Sequence, residues 1–165
     1  MPGQDRRRWL RRWRKRHRSL PILNDLDRVT VRCVEDFTTA AWRKLCLNCV
    51  GALSALTQRS AAVFQDDAIA ELAASMAREC VAVGRAEGAA LDEADVAEVV
   101  ARCRRSSPDA VNSMLADRLA GRPMEVDARN GVIARLGARH GIATPLNAMA
   151  AALLGAAPAT PSAAG

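Results

Sequence analysis

Tyrosine is absent from this chain, and aromatic side chains make up only 3% of it. A core without large rings has to be closed by Ala, Leu, Val, Ile and Met, which suits close-packed helices. Long apolar runs are also missing: no stretch reaches the ~20 uncharged residues that a membrane span needs. The basic start is not followed by the apolar segment and small-residue cleavage site of a signal peptide. The expectation is a soluble, cytoplasmic protein. Histidine is scarce, with His17 near the start and His140 beside Gly141, and neither is placed for a Ser–His or Cys–His pairing. The five cysteines (33, 46, 49, 80 and 103) are odd in number and lack framework spacing, which points to reduced thiols. Cys46 and Cys49 form a C-x-x-C, but it lies in an apolar run without a second pair of ligands. Buried structural cysteines fit better than a zinc or redox centre. The glycines stand at 3, 51, 84, 88, 121, 131, 137, 141, 155 and 165, and no two are two residues apart. A G-x-G-x-x-G phosphate loop is therefore excluded from these residues.

What is present begins with charge. The net charge of +6 hides a strong asymmetry. Residues 1–20 hold nine Lys/Arg and one Asp, for +8, so the remainder sums to −2. The basicity belongs to a tail, "RRRWLRRWRKRHR", in which Trp9 and Trp13 sit four residues apart among arginines. Such a segment can bind nucleic acid or an acidic membrane surface. A block of like charges also repels itself, and a solvated extension is the simpler reading.

Half of the residues are hydrophobic, enough for one domain with a sizeable core. Val29, Val31 and Cys33 alternate with Thr30 and Arg32, as in a short strand or extended connector. Asp36 then offers a cap for a helix over 38–57. Asp66 and Asp67 open a second over 67–87, with Ile69, Leu72, Met76, Cys80 and Val83 at helical spacing. Asp92 starts a third, with Val96, Val99, Val100 and Cys103 inward. In "SSPDAVNSML" Ser107 reads as a cap and Pro108 as the first helical residue of a fourth helix ending at Leu119. A fifth is expected over 124–140, with Val132, Ile133 and Leu136 buried, closed by Gly141, and a last over 145–154. Residues 156–165, "AAPATPSAAG", read as a low-complexity tail. The fold class expected is all-α, a bundle of about six helices over 21–155 without an internal repeat.

Polar groups interrupt the apolar pattern at a few places. In "WRKLCLNCVGALSAL" Lys44 and Asn48 lie about one turn apart on one face of an otherwise apolar helix. An ammonium there is costly unless it is satisfied or snorkels to the surface. Ser113 and Asn112 precede Met114, and Glu125 follows "GRPM". Locally, Glu125 is an acid in a first helical turn with Arg129 one turn on as an ion-pair partner, and Ser113 fills a small space.

Together these residues carry a resemblance. "AAWRKLCLN", and then Ser113-Met114, the Gly121–Asp127 segment "GRPMEVD", Asn130-Gly131 and "GIATPLN" from Gly141 to Asn147, are similar to the C-terminal domain of ketopantoate reductase (2-dehydropantoate 2-reductase). The resemblance covers about residues 21–155. It implies that Lys44 is the general acid that protonates the ketone oxygen as hydride arrives from NADPH. It implies that Asn48, Ser113 and Glu125 hold the substrate, with Glu125 also near the lysine. A second asparagine that many members carry one turn after Asn48 is Ala52 here. The substrate implied is ketopantoate or a related 2-keto acid, on the route to pantothenate.

The expectation is therefore a helical substrate domain with Lys44 as its catalytic residue and without its NADP(H)-binding half. The arginine-rich start in place of that half suggests a truncated or frameshifted gene. A separate chain could supply the nucleotide domain, and homo-oligomerisation stays open. The alternative is a non-catalytic helical interaction module whose basic tail binds nucleic acid or membrane. Because residues 1–20 contribute no periodic core face, removing them should leave the thermal unfolding transition almost unchanged. Loss of cooperative unfolding on truncation, followed by circular dichroism, would show instead that the tail packs.

Overall fold

The computed structural model describes residues 34–157. The basic segment, the alternating stretch from Val29 to Cys33 and residues 158–165 lie outside them. The described residues form six α-helices, a 3-10 turn and a π turn, with no strand among them. The expected all-α bundle is what the described residues form.

Helix α1 (Phe37–Thr57) starts at Asp36, whose carboxylate accepts the Thr39 backbone N–H at 3.0 Å. The Thr39 hydroxyl donates to the same carboxylate at 2.6 Å and accepts the Ala90 N–H at 2.7 Å, pinning the start of α1 to the loop after the next helix. The hydroxyl bond is the main reason that the Asp36 carboxyl lies below its ordinary value. A 3-10 turn (Ala61–Gln65) leads to α2 (Asp67–Ala86), capped by Asp66, whose side chain accepts from Ala68 and Ile69. Trp42 near the start of α1 lies so close to Gly84 near the end of α2 that a Cβ there would meet its ring at 3.0 Å. The two helices therefore run antiparallel at short separation. Helix α3 (Glu93–Arg105) opens with a reciprocal cap between Asp92 and Asp95.

The core follows the composition. Its largest fully buried side chains are Met76, Met114, Leu115, Ile133 and Leu154, and around them lie Ala73, Ala77, Val83, Val96 and the thiols of Cys46, Cys49 and Cys80. Ile69, Leu72, Val100, Val132 and Leu136, expected inside, are half-buried and pack on its rim.

Two helix starts differ from expectation. Pro108 does not begin a helix: Ala110 N–H donates to Ser107 C=O at 2.9 Å, closing a turn in which proline takes its favoured second place. Helix α4 (Ser113–Leu119) starts five residues later, with Asn112 as its cap. Proline suits a turn and a first helical residue equally, and the asparagine cap decides between them. Further on, helix begins at Val126 and passes through a π turn (Asp127–Gly131) before becoming α5 (Val132–His140). Gly141 then closes α5 at φ +66°, and its next neighbour Ile142 donates to Gly137 C=O at 2.8 Å.

Helix α6 (Pro145–Ala156) has no side-chain cap of its own from Thr144. Glu79 of α2 serves instead, accepting the backbone N–H groups of Leu146 and Asn147, both at 2.9 Å. A carboxylate at that position satisfies two unpaired donors and faces the positive end of the helix dipole. The Asn147 amide, wholly buried, donates to Met76 C=O at 3.1 Å and to Glu79 at 2.7 Å. Asn130, also wholly buried, donates to Asn147 Oδ1 and to Cys49 C=O, both at 3.0 Å. One chain of side-chain amides thus joins α1, α2, the π turn and α6. Asn147→Leu keeps the volume but removes one of the two acceptors of the Asn130 amide and the side-chain donor to Glu79. It should cost on the order of 3 kcal/mol, read as a lower denaturant midpoint with an unchanged slope.

Candidate functional site

Burial on α1 separates two faces. Cys46, Cys49, Val50 and Leu53 point into the core, whereas Lys44 is exposed and Asn48 half-buried on the other side. The cost of an ammonium in an apolar helix is avoided because the lysine stands over an open cleft. Lys44 forms no hydrogen bond or ion pair among the described residues, and the side-chain amide of Asn48 has no hydrogen-bond partner among them.

Two adjoining clefts meet along this face. The wider, about 560 Å³, is lined by Arg43, Lys44, Asn48, Asp95, Glu98 and Arg102. The narrower, about 240 Å³, takes in Asn48, Arg102, Cys103, Asn112, Ser113 and Arg129. Asn48 and Arg102 belong to both, so α1 and α3 furnish the shared wall. Ser113 is brought here by its neighbour Asn112, which accepts Leu115 N–H at 3.0 Å to cap α4 and donates to Gly51 C=O of α1 at 3.2 Å. The structure therefore places Lys44 on one cleft and Ser113 on its neighbour, with Asn48 on both.

Glu125 is placed otherwise. It lines neither cleft; its side chain is 69% exposed and accepts from Arg129 at 2.8 Å. Of the two arrangements open to it in the sequence, the local ion pair is the one formed. Arg129, only 12% exposed, uses the same nitrogen to donate to Ser113 Oγ at 2.9 Å. The hydroxyl accepts from the guanidinium and so keeps its own proton for an acceptor in the cleft. Glu125 thus reaches the site through Arg129, not through Lys44. Ala52 is fully buried and lines neither cleft.

Reasoning from sequence missed Arg129 as a link and Arg102 altogether. Arg129 was visible only as the partner of Glu125. Arg102 shares a face of α3 with Asp95, Glu98 and Val99 at helical spacing, and that pattern could have marked the cleft side of the helix.

A model of the family described as ketopantoate reductase PanE/ApbA C terminal matches residues 36–157. The chain belongs to the ketopantoate reductase C-terminal family. It is 56% identical over 129 residues to a 2-dehydropantoate 2-reductase of Caulobacter vibrioides, covering 78% of this chain and 44% of that protein. A ketopantoate reductase of Ralstonia eutropha superposes with a TM-score of 0.70 at 35% identity, over 77% of this chain and 43% of that one. A D-mandelate dehydrogenase solved with NADH and anilino(oxo)acetate does so with a TM-score of 0.67 at 26% identity, over 74% and 52%. The chain spans less than half the length of the curated reductases it matches. Among the described residues there is no strand and no G-x-G-x-x-G glycine spacing.

The thiols near the site are guarded by burial. Cys103, on the narrower cleft, is pushed up to about 11 chiefly by desolvation. Cys80 is raised well above the ordinary thiol range, first by its contacts with Cys46 and Cys49. The thiolate is the nucleophile, and each of these shifts favours the neutral thiol. Native protein treated with iodoacetamide should remain unmodified at Cys46, Cys49, Cys80 and Cys103 from pH 7 to pH 9. Peptide mass mapping should find Cys103 labelled first as the pH approaches 11. Labelling of Cys103 at neutral pH would show a reactive thiol.

Proposed function

We propose that this ketopantoate reductase domain supplies the substrate-holding and proton-donating part of the NADPH-dependent reduction of ketopantoate to pantoate. The observation that carries the reading is an unpaired ammonium, an unpaired amide and a hydroxyl on two adjoining clefts that share Asn48 and Arg102, in a domain of this family. As a ketone is reduced, negative charge grows on its oxygen; an adjacent ammonium stabilises that charge and then delivers a proton. Lys44 takes this role. Asn48, one turn along and facing the same cleft, offers both a donor and an acceptor to the substrate. Ser113, held by Arg129, donates to a substrate oxygen from the adjoining cleft. Glu125 fixes Arg129 and so acts as a positioning residue for Ser113.

The reduction requires the nicotinamide to be presented by residues other than those described, on the same protein or on a partner chain, and the setting proposed for it is the cytoplasm. The test is a fusion of this chain behind the nucleotide-binding domain of the Caulobacter relative, assayed by NADPH consumption with 2-dehydropantoate. In the fusion Lys44→Ala should lower kcat by on the order of 10²-fold or more. Equal turnover with and without Lys44 would remove its assignment as general acid.

A further inference from the structure

The wider cleft is lined by three cations and two carboxylates, and the pairing among them is uneven. Arg43 donates to Asp95 at 2.7 Å across the mouth between α1 and α3. Glu98 is taken by Arg105 at 2.8 Å. Both carboxylates are therefore already matched by arginines. Arg104 on the same helix pairs with Asp67, and Arg129 in the adjoining cleft with Glu125. Arg102 is different: its guanidinium, exposed on the shared wall of both clefts, forms no ion pair or side-chain hydrogen bond among the described residues. The cleft thus presents two uncommitted cations, Lys44 from α1 and Arg102 from α3, with the free amide of Asn48 beside them.

We propose that Arg102 binds the carboxylate of the substrate and sets the preference of this domain for 2-keto acids over neutral ketones. The inference rests on the keto-acid reading above and adds a cation at the carboxylate end of the substrate, where the resemblance offers Ser113 and Glu125. A 2-keto acid carries its carboxylate on the carbon next to the ketone, so its two oxygen-bearing groups need two donors on facing walls. An ammonium suits the single ketone oxygen that gains charge and is protonated. A planar guanidinium suits the two parallel oxygens of a carboxylate, which it grips bidentately. With Lys44 and Arg102 on opposing helices, the ketone is turned toward α1 and the acid toward α3. Position 52, buried as alanine, contributes nothing to this recognition.

The 165-residue chain, titrated by NMR with 2-dehydropantoate and separately with its carboxamide, tests this directly. The wild type should bind the acid about tenfold or more tightly than the amide, the difference expected for a charge-assisted contact. Arg102→Gln should abolish that preference by weakening the acid and leaving the amide unchanged, and Arg102→Lys should restore part of it. The exposed position makes misfolding of these variants a small risk, and unchanged amide shifts would report an intact cleft. If Arg102→Gln binds the acid as tightly as the wild type, the inference falls while the keto-acid reading stands. If it weakens acid and amide alike, Arg102 shapes the cleft and does not read the carboxylate. If the wild type shows no saturable binding of the acid, the keto-acid reading falls and takes this inference with it.

Discussion

Two buried amides, Asn130 and Asn147, are the points at which four segments of the chain are fixed to one another. Asn130 binds a carbonyl of α1 and the oxygen of Asn147; Asn147 binds a carbonyl and a carboxylate of α2. Both acceptors of the Asn130 amide are oxygens, which settles the orientation of that side chain and leaves its own oxygen buried without a protein partner. Such a network is costly if partly broken and specific when complete. Its effect is to seat the middle of α1 against α2 and the π turn. The same α1 carries Lys44 and Asn48 on its other face, so the register of the site is set from behind by hydrogen bonds that no substrate touches.

The grip on α1 extends past those two residues. Asn112 donates to Gly51 C=O and Arg118 to Ala55 C=O, so α4 and its cap hold the later turns of the helix by its backbone. Small side chains make this possible. Gly51, Ala52 and Ala55 bring partner atoms close to the helix backbone, and larger residues would hold them off. A core poor in aromatic rings is in this sense more than a compositional habit. It allows polar side chains from neighbouring segments to reach main-chain carbonyls, and precise placement of α1 follows from that reach.

Much of the architecture could be read from the sequence because helix starts and stops are local chemistry. Asp36, Asp66 and Asp92 cap where they stand, and Gly141 closes α5 in the left-handed conformation. Where two local rules competed, the sequence was ambiguous. Ser107-Pro108 satisfied the rule for a helix start and the rule for a turn, and only the cap at Asn112 separates them. The exposed side of α1 at Lys44 and Asn48 was visible as a break in an apolar run, and family resemblance gave the break a meaning. Arg102 was not visible in either way. Its helical spacing with Asp95, Glu98 and Val99 marks a face of α3, but that its guanidinium is left without an ion pair shows only in the fold. Glu125 shows the converse: its i,i+4 relation to Arg129 was plain, but that Arg129 also reaches Ser113 depends on how α4 is seated.

The π turn between Asp127 and Gly131 carries one residue more than regular helix would hold over the same rise. An α-helix advances about 100° per residue, so the extra residue rotates everything before it by that angle relative to α5. Ile133 faces the core from one side of this offset, and Asn130 and Arg129 face α1 and Ser113 from the other. The stretch behaves as a phase shifter between two helical frames. Shortening it by a single residue would yield a more regular helix and a misaligned site, so along this segment helical regularity and function pull in opposite directions.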